Sequence, residues 1–251
     1  MAWTKPLLRI KALALAVHLG ISALIFLPFL YLIWFHWFPP PLFFTDGGWQ
    51  GLRIMLFVDL FIGPSLTFII FNPAKSRREL TLDLSCIALV QGIALAYGGY
   101  TVAQKRLEVM ALSDGVFHVV SHKSFTKQET SPADWAQLGD GPLYWTFVRK
   151  PRSKEEQDAV VLFGAMQGTA AHELLFLYEP LARHSDELRH AAIDPDKGTG
   201  DAEVDERLRQ FRSDHPQAVF FVRHEGSYRD AILAFDDHNQ MVGAIKLAAH
   251  P

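Results

Sequence analysis

The sequence predicts a membrane protein in which three N-terminal transmembrane helices are followed by an α+β periplasmic domain. Three observations lead to this fold class. The first hundred residues contain three long apolar stretches. Most of the charged residues in this part of the chain lie outside those stretches. Residues 101–251 show the mixed pattern of a soluble domain. We therefore expect a membrane domain over residues 1–100 and a second domain over residues 101–251.

The first predicted span covers about residues 12–34. Between Ala12 and Phe38 there are 27 residues without a formal charge, which as a helix exceed the roughly 30 Å hydrocarbon core of a bilayer. A cleaved signal peptide is the alternative, since three basic residues precede the run. However, the run is longer than a signal peptide's apolar region of about 7–15 residues, and it ends in aromatic side chains typical of a membrane interface. These features favour a span that stays in the chain.

The second and third spans are predicted at about residues 54–71 and 82–100. The second contains one acid, Asp59, and the third carries Asp83 and Gln91. A core helix of a soluble protein can give either pattern. Because both stretches directly follow a clear first span, a helical membrane hairpin is the favoured interpretation.

The charges of the two links predict the orientation. The link of residues 72–81 carries Lys75, Arg77 and Arg78, whereas residues 39–50 contain no Lys or Arg. Cytoplasmic loops hold the excess of basic residues, so we expect the N-terminus and the 72–81 link in the cytoplasm. Three crossings then place residues 101–251 in the periplasm of a bacterium. Without the third span, this domain would be cytoplasmic.

A small set of residues within the spans forms the candidate intramembrane site. An acid such as Asp59 costs on the order of 2–3 kcal/mol at this depth, so it needs a partner. Gly63 and Pro64, one turn later, predict a kink that frees backbone carbonyls. Helical rise places Asp59 roughly 18 Å and Gln91 roughly 14 Å from the cytoplasmic ends of their spans, so the two can meet. A structural hydrogen bond is favoured over a transport or proton-relay role.

Residues 101–251 are predicted to alternate between strands and helices. Residues 107–111 and 116–121 flank a turn rich in Asp and Gly, which is typical of a β-hairpin. Ser153, followed by acidic residues, predicts the start of a helix over 153–166. Further strands are predicted at 142–148, 218–222, 231–235 and 241–247, and a further helix at 202–212. With 17 cations and 23 acids, this region is too acidic to favour nucleic acid as a partner.

Sequence patterns of catalysis and metal binding do not occur. The chain has no Gly-x-Ser-x-Gly, His-Glu-x-x-His, Walker-type or Cys-x-x-Cys motif, and Cys86 is its single cysteine. We therefore expect neither an enzyme nor a bound cofactor or metal. His118 and His122 are close in sequence but about 13 Å apart along a predicted strand, so solvated histidines are the favoured interpretation.

Three segments together resemble a known family. Residues 58–73 (VDLFIGPSLTFIIFNP), 83–91 (DLSCIALVQ) and 96–102 (AYGGYTV) are similar to the type IV pilin accessory proteins of the TfpX/TfpZ type. The resemblance implies an inner-membrane accessory factor for type IV pilus assembly, chaperone-like and specific for one pilin. It implies the major pilin and the lipid bilayer as partners, and no enzymatic reaction.

Two other functions stay open at this point. The first is a membrane-anchored extracytoplasmic ligand-binding or sensor protein, although the predicted cytoplasmic parts are too short for a signalling output module. The second is a small intramembrane transporter that uses Asp59, which would need more polar groups at similar depth than Gln91 and His18 provide.

Overall fold

The computed structural model describes residues 5–125, 128, 132–139, 141, 143–194 and 197–249. The chain divides into two compact units. We call Met1–His36 with Gly48–Ala103 the helical unit, and Trp37–Gly47 with Gln104–Pro251 the sheet unit. The sheet unit therefore includes an eleven-residue segment that the sequence analysis treated as a link between two spans.

Four α-helices and two π-helical turns build the helical unit and its edge. They are α1 (Lys5–Leu32), a π turn (Ile33–Trp37), α2 (Gly48–Leu56), a second π turn (Phe57–Ile62), α3 (Gly63–Ile70) and α4 (Arg77–Gln104). They form three continuous helical stretches long and apolar enough to cross a membrane, Lys5–Trp37, Gly48–Ile70 and Arg77–Gln104. The three predicted apolar helices are thus confirmed.

The irregularity predicted at Gly63 and Pro64 takes the form of the π turn that precedes them. Pro64 has no N–H, and its ring crowds the carbonyl one turn earlier. A wider turn before the proline accommodates that ring, and π turns of this kind are common in helices at functional positions. Asp59 lies inside this turn.

A seven-stranded mixed sheet forms the centre of the sheet unit. Its strands are β1 (Leu107–Ser113), β2 (Val116–Ser121), β3 (Tyr144–Val148), β4 (Tyr178–Pro180), β5 (Phe220–Glu225), β6 (Arg229–Phe235) and β7 (Met241–Ala249). Their order is β4-β3-β1-β2-β5-β6-β7, with β1/β3 and β2/β5 parallel and the other pairs antiparallel. The α+β class predicted for this region is confirmed.

The predicted hairpin is the β1–β2 pair, joined by two residues. Asp114 and Gly115 have φ values of 49° and 83°, the left-handed conformation that a two-residue hairpin turn requires. The strand predicted at 142–148 begins at Tyr144, and Pro142 lies outside the described residues.

Short helices cover the sheet. They are α5 (His122–Phe125), α6 (Pro132–Ala136), α7 (Lys154–Gln167), α8 (Ser185–Ala191) and α9 (Ala202–Asp214). As predicted, Ser153 caps α7, because its hydroxyl accepts a hydrogen bond of 3.1 Å from the backbone N–H of Glu156. Strand alternation sends Val109, Val120 and Phe221 to one face of the sheet, which carries two apolar clusters that include side chains of α5, α6, α7 and α9.

The opposite face of the sheet is aromatic. Phe117 stacks on Phe235, and Trp145 meets both rings edge-on, with all three centroid separations at 5.5 Å. His224 is on the same face as Phe117, because the two are register partners in the parallel β2/β5 pair. This face is where the segment Trp37–Gly47 joins the sheet.

Candidate functional site

Asp59 and Gln91, predicted to lie at similar depth, are together in the structure. Gln91 Nε2 lies 3.4 Å from Asp59 Oδ1 and 3.4 Å from the backbone oxygen of Asp59. Both residues are buried: 5% of the surface of Asp59 and 9% of the surface of Gln91 are exposed to solvent. At this length the hydrogen bonds are weak, since N–H···O distances are usually 2.7–3.2 Å.

Gly63 is the reason that Gln91 can reach Asp59. A Cβ atom at position 63 would lie 1.8 Å from Gln91 Nε2 and 2.3 Å from its Cδ. Any larger residue would therefore push the amide away from the carboxyl group. Pro64 follows directly and is buried at the start of α3. All four residues singled out from the sequence thus lie around one point of the helical unit.

The second oxygen of the Asp59 carboxyl group has no partner. Asp59 Oδ2 is buried and makes no hydrogen bond with any described residue. Leaving a buried polar atom unsatisfied costs about 1–3 kcal/mol, and more for a charged one. Among the described residues of the helical unit, Asp59 Oδ2 and Gln50 Oε1 are the two buried side-chain oxygens with unused bonding capacity, and of these two residues Asp59 lines the groove described below.

Two further polar contacts join α1 to α3. His18 Nδ1 lies 2.6 Å from the hydroxyl of Thr67. Lys11 Nζ donates to the backbone oxygens of Phe68 and Ile69 at 3.1 and 2.9 Å, and so caps carbonyls in the last turn of α3. From the sequence, His18 was a candidate polar group, whereas Lys11 is one of the three basic residues that precede the first span. A lysine next to an apolar run carries no signal for the helix end that it will cap.

A groove of about 520 Å³ lies within the helical unit. Its walls are apolar side chains of α1 and α4, among them Leu13, Ile21 and Leu95. Asp59, His18, Thr67 and Gln91 also line it. The groove is therefore an apolar surface with a few polar groups, the composition usual for sites that bind apolar partners.

The charged residues of the basic link, residues 72–81, form local contacts at the start of α4. Lys75 forms an ion pair with Asp83, and Glu79 accepts hydrogen bonds from the backbone N–H and hydroxyl of Ser76 at 2.9 and 2.8 Å. The second pair caps the start of α4. Arg77 and Arg78 are exposed in its first turn. The structure gives their positions, and their role in setting the orientation stays a prediction.

The segment Trp37–Gly47 is held on the sheet by a polar cluster, which we call the clasp: Thr45, Asp46, His224 and Ser227. Asp46 Oδ2 lies 2.9 Å from His224 Nε2 and accepts a 2.6 Å hydrogen bond from the Thr45 hydroxyl. The backbone N–H of Ser227 donates to Asp46 Oδ1 at 3.0 Å. Apolar anchors accompany the clasp, because Phe38, Leu42 and Phe43 are also fully buried.

Both ring nitrogens of His224 face hydrogen-bond acceptors, an arrangement that favours the protonated, positively charged imidazole. Its Nδ1 lies 3.0 Å from the backbone oxygen of Phe117, which can only accept, and its Nε2 faces the carboxylate of Asp46. Burial lowers the pKa of His224, but the hydrogen bond and charge of Asp46 outweigh it, and the pKa is raised above its ordinary 6.5. A buried ion pair with satisfied hydrogen bonds therefore joins the segment to β5.

A second polar pocket, of about 380 Å³, lies on the sheet unit and is lined by His118, His172, Glu225 and Asp230. The two imidazole rings stack 4.2 Å apart and nearly parallel, and His118 Nδ1 is 3.5 Å from Glu225 Oε2. Burial lowers the pKa of both histidines. Sequence spacing brings His118 close to His122, whereas in the structure its ring partner is His172, 54 positions away.

The geometry of the stacked histidines does not suit a metal ion. Lone pairs of parallel rings point side by side and do not converge on one ion, and a protein zinc site needs three or four converging ligands. Among the described residues, three potential ligand atoms come within 4.8 Å of one another at Asp236, Asp237 and His238. That turn is largely exposed, and clustered surface charge there is explained by solvation alone.

Comparison with known proteins gives partial matches. No family model matches the chain, and no solved structure does. The chain is 34% identical over 86 residues to the fimbrial assembly protein of serogroup E1 from Dichelobacter nodosus, covering 34% of each protein. It is 37% identical over 71 residues, 28% of this chain, to fimbrial assembly proteins of serogroup I and of serogroups C1 and C2 from the same bacterium. These matches span 28% and 54% of the two relatives.

Proposed function

We propose that this chain is an inner-membrane accessory protein for type IV pilus assembly. The observation that carries the proposal is the 34–37% identity to three fimbrial assembly proteins. It agrees with the resemblance of residues 58–73, 83–91 and 96–102 to type IV pilin accessory proteins. The three apolar helices support a location in the membrane where pilus subunits are held before assembly.

The clasp supports the proposed orientation. The segment Trp37–Gly47 lies between the first and second apolar stretches, while the rest of the sheet unit follows the third. Because segment and sheet fold together, they lie on the same side of a membrane. Either both of the intervening helices cross it or neither does, and their length and apolar composition favour two crossings. With the basic 72–81 link in the cytoplasm, the sheet unit is periplasmic.

We further propose that the protein acts by binding, as a pilin-specific chaperone, and not by catalysis. Its membrane helices can contact the apolar helix of a pilin that waits in the bilayer, and the sheet unit can contact the pilin head. The acidic charge of residues 101–251 offers a means of steering that contact.

A gene deletion tests the function. We expect unchanged pilin synthesis with fewer surface pili and weaker twitching, and restoration by the intact gene supplied in trans. Replacing the resident pilin by another type should change the size of the defect if recognition is pilin-specific. Normal piliation in the deletion strain would contradict the proposal.

Cysteine labelling tests the orientation. In a Cys86→Ser background, single cysteines are placed at Ala74 in the basic link and at Asp237 in the β6–β7 turn, both exposed. The label is a maleimide that cannot cross the inner membrane. In cells whose outer membrane has been permeabilised, it should react with the cysteine at position 237. The cysteine at position 74 should react only after the cells are lysed. The reverse pattern would contradict a periplasmic sheet unit.

One observation favours a second candidate function. The pocket lined by His118, His172, Glu225 and Asp230 is polar and large enough for a small ligand, as expected of an extracytoplasmic ligand-binding protein. Substituting both histidines by Ala distinguishes the two candidates. Full piliation in that variant would show that pilus assembly does not require this pocket.

A further inference from the structure

We propose that the groove between α1 and α4 receives the apolar transmembrane helix of a pilin, and that this helix presents a hydrogen-bonding side chain to Asp59. The inference rests on the proposed function and adds to it the surface that holds the partner. Its starting points are the buried, unpartnered Oδ2 of Asp59 and the apolar groove that Asp59 lines.

The two helices that form the groove walls touch beyond one end of the lining. Position 99 of α4 touches α1, since a Cβ there would lie 2.9 Å from Cε1 of Phe29. From there the groove runs between the walls from Ile25 and Leu95 to Ile10 and Leu84. At 1.5 Å per residue, the stretch from Ile10 to Ile25 is about 22 Å long, which is most of the hydrocarbon thickness. An elongated membrane-embedded partner fits this shape.

The unpartnered oxygen selects the type of partner. A lipid acyl chain can fill the apolar part of the groove but offers no hydrogen bond, so Asp59 Oδ2 would stay unsatisfied at a cost in free energy. A membrane helix with one polar side chain at the matching depth removes that cost. Intramembrane acids are retained where they have a partner in protein or water. The complementarity therefore favours a helix over lipid.

The α4 wall also allows a helix to come close. Ala88 and Gly92 lie on the groove side of α4, and nothing lies within 4 Å of a Cβ at position 92. Small residues at such positions let two helix backbones approach, which is how membrane helices gain packing energy without a hydrophobic driving force. On this ground the groove holds one face of the partner helix.

Site-specific photocrosslinking in piliated cells tests the inference. A crosslinking amino acid replaces Ala88, which lines the groove, or Val90, which lies two residues away on the exposed side of α4. We expect capture of pilin from position 88 and little from position 90. Capture of pilin from position 90 alone, or equally from both, would overturn the groove while leaving a pilin contact in place. Capture from position 88 of only lipid or a second copy of this chain would also overturn it.

A pair of glycine variants supplies a second test that leaves Asp59 intact. Gly92→Leu fills the groove, whereas Gly20→Leu places the same side chain on α1 outside the groove, and neither position has an atom within 4 Å of a new Cβ. With the crosslinker at Ala14, another groove residue, pilin capture should be lost in Gly92→Leu and kept in Gly20→Leu. Equal capture in both would overturn the inference.

Asp59→Leu tests the polar contact itself. A hydrogen bond between membrane helices contributes about 0.6 kcal/mol on average, which corresponds to about a threefold loss of pilin capture from position 88. Unchanged capture at equal protein abundance would overturn the role of Asp59. If no position captures pilin although the deletion strain lacks pili, the groove is wrong and the proposed function stands. If that strain is also fully piliated, both fail.

Discussion

The sheet unit and the helical unit each contain a buried aspartate, Asp46 and Asp59. Each residue is 5% exposed to solvent, yet the two carboxyl groups differ in their hydrogen bonds. The Asp46 carboxylate has three partners at 2.6–3.0 Å, the Thr45 hydroxyl, His224 Nε2 and the Ser227 N–H. Among the described residues, the Asp59 carboxyl group has one hydrogen-bond partner, Gln91 at 3.4 Å, and its second oxygen has none.

The comparison teaches that equal burial does not imply an equal role. A carboxylate whose hydrogen bonds are all made within its own unit contributes to folding, because removing any partner leaves an unsatisfied group. A carboxyl group with an unused atom contributes little to its own unit. It is available to another molecule. The following predictions test this contrast, beginning with the largest expected effect.

Breaking the clasp should cost the most. In His224→Ala the buried carboxylate of Asp46 loses its cationic partner. Removing one member of a buried ion pair lowers the free energy of unfolding by about 3–5 kcal/mol. The measurement is denaturant unfolding of the purified full-length protein in detergent. Glu206→Ala is the control, because the Glu206–Arg209 pair is 71% and 65% exposed and should contribute at most about 1 kcal/mol. Equal losses in the two variants would contradict the clasp.

The clasp should also respond to pH with a definite sign. Because the folded-state pKa of His224 is raised above 6.5, its stabilisation is fully present below pH 6.5 and is lost as the pH rises through the raised value. His118 and His172 act in the opposite direction, since their pKa values are lowered and their contribution is lost as the pH falls.

Comparing wild type with His224→Gln separates these effects. The difference in free energy of unfolding between the two proteins should be larger at roughly pH 6 than at roughly pH 9. A difference that is constant, or that grows with pH, would show that the Asp46–His224 pair is not charged in the way the geometry implies.

The smallest effects are expected in the helical unit. Asp59→Asn should be tolerated and Asp59→Leu should change protein abundance only slightly, because the lost hydrogen bond, about 0.6 kcal/mol on average between membrane helices, is offset by removal of the unsatisfied oxygen. Normal abundance with lost piliation in Asp59→Asn would favour a role that depends on protonation.

Gly63→Ala sharpens the same comparison. A methyl group at position 63 displaces the Gln91 amide, so we expect this variant to have the same small effect as Gln91→Ala. The double variant should be no worse than either single one, since both remove one contact. Additive losses of abundance would show that Gly63 has a separate packing role.

Much of the helical unit could be predicted from local patterns. The apolar stretches give the three helices, and equal depth along two of them places Asp59 near Gln91. The sequence does not reveal that Gly63 makes room for the amide, or that Asp59 Oδ2 stays unpartnered. Both facts depend on how each helix is rotated about its axis. The length and composition of a span do not determine that rotation.

The sheet unit shows the same division. The β1–β2 hairpin was predictable because its turn residues and alternation are local signals. The clasp was not, because Asp46 and His224 are 178 residues apart. Asp46 stood in a link with no pattern of its own, and the stacked pair of His118 and His172 was hidden for the same reason.

The amino-acid sequence alone predicts which stretches are apolar enough to cross a membrane, where the basic link lies, and the hairpin that begins the sheet. These properties arise from the transfer of side chains between water and an apolar phase and from backbone preferences of neighbouring residues. Two other features are visible only in the three-dimensional fold: Trp37–Gly47 belongs to the sheet unit, and a groove lies beside Asp59. Both depend on contacts between residues far apart in the chain, where the gain of burying and pairing specific groups outweighs the entropy of bringing them together.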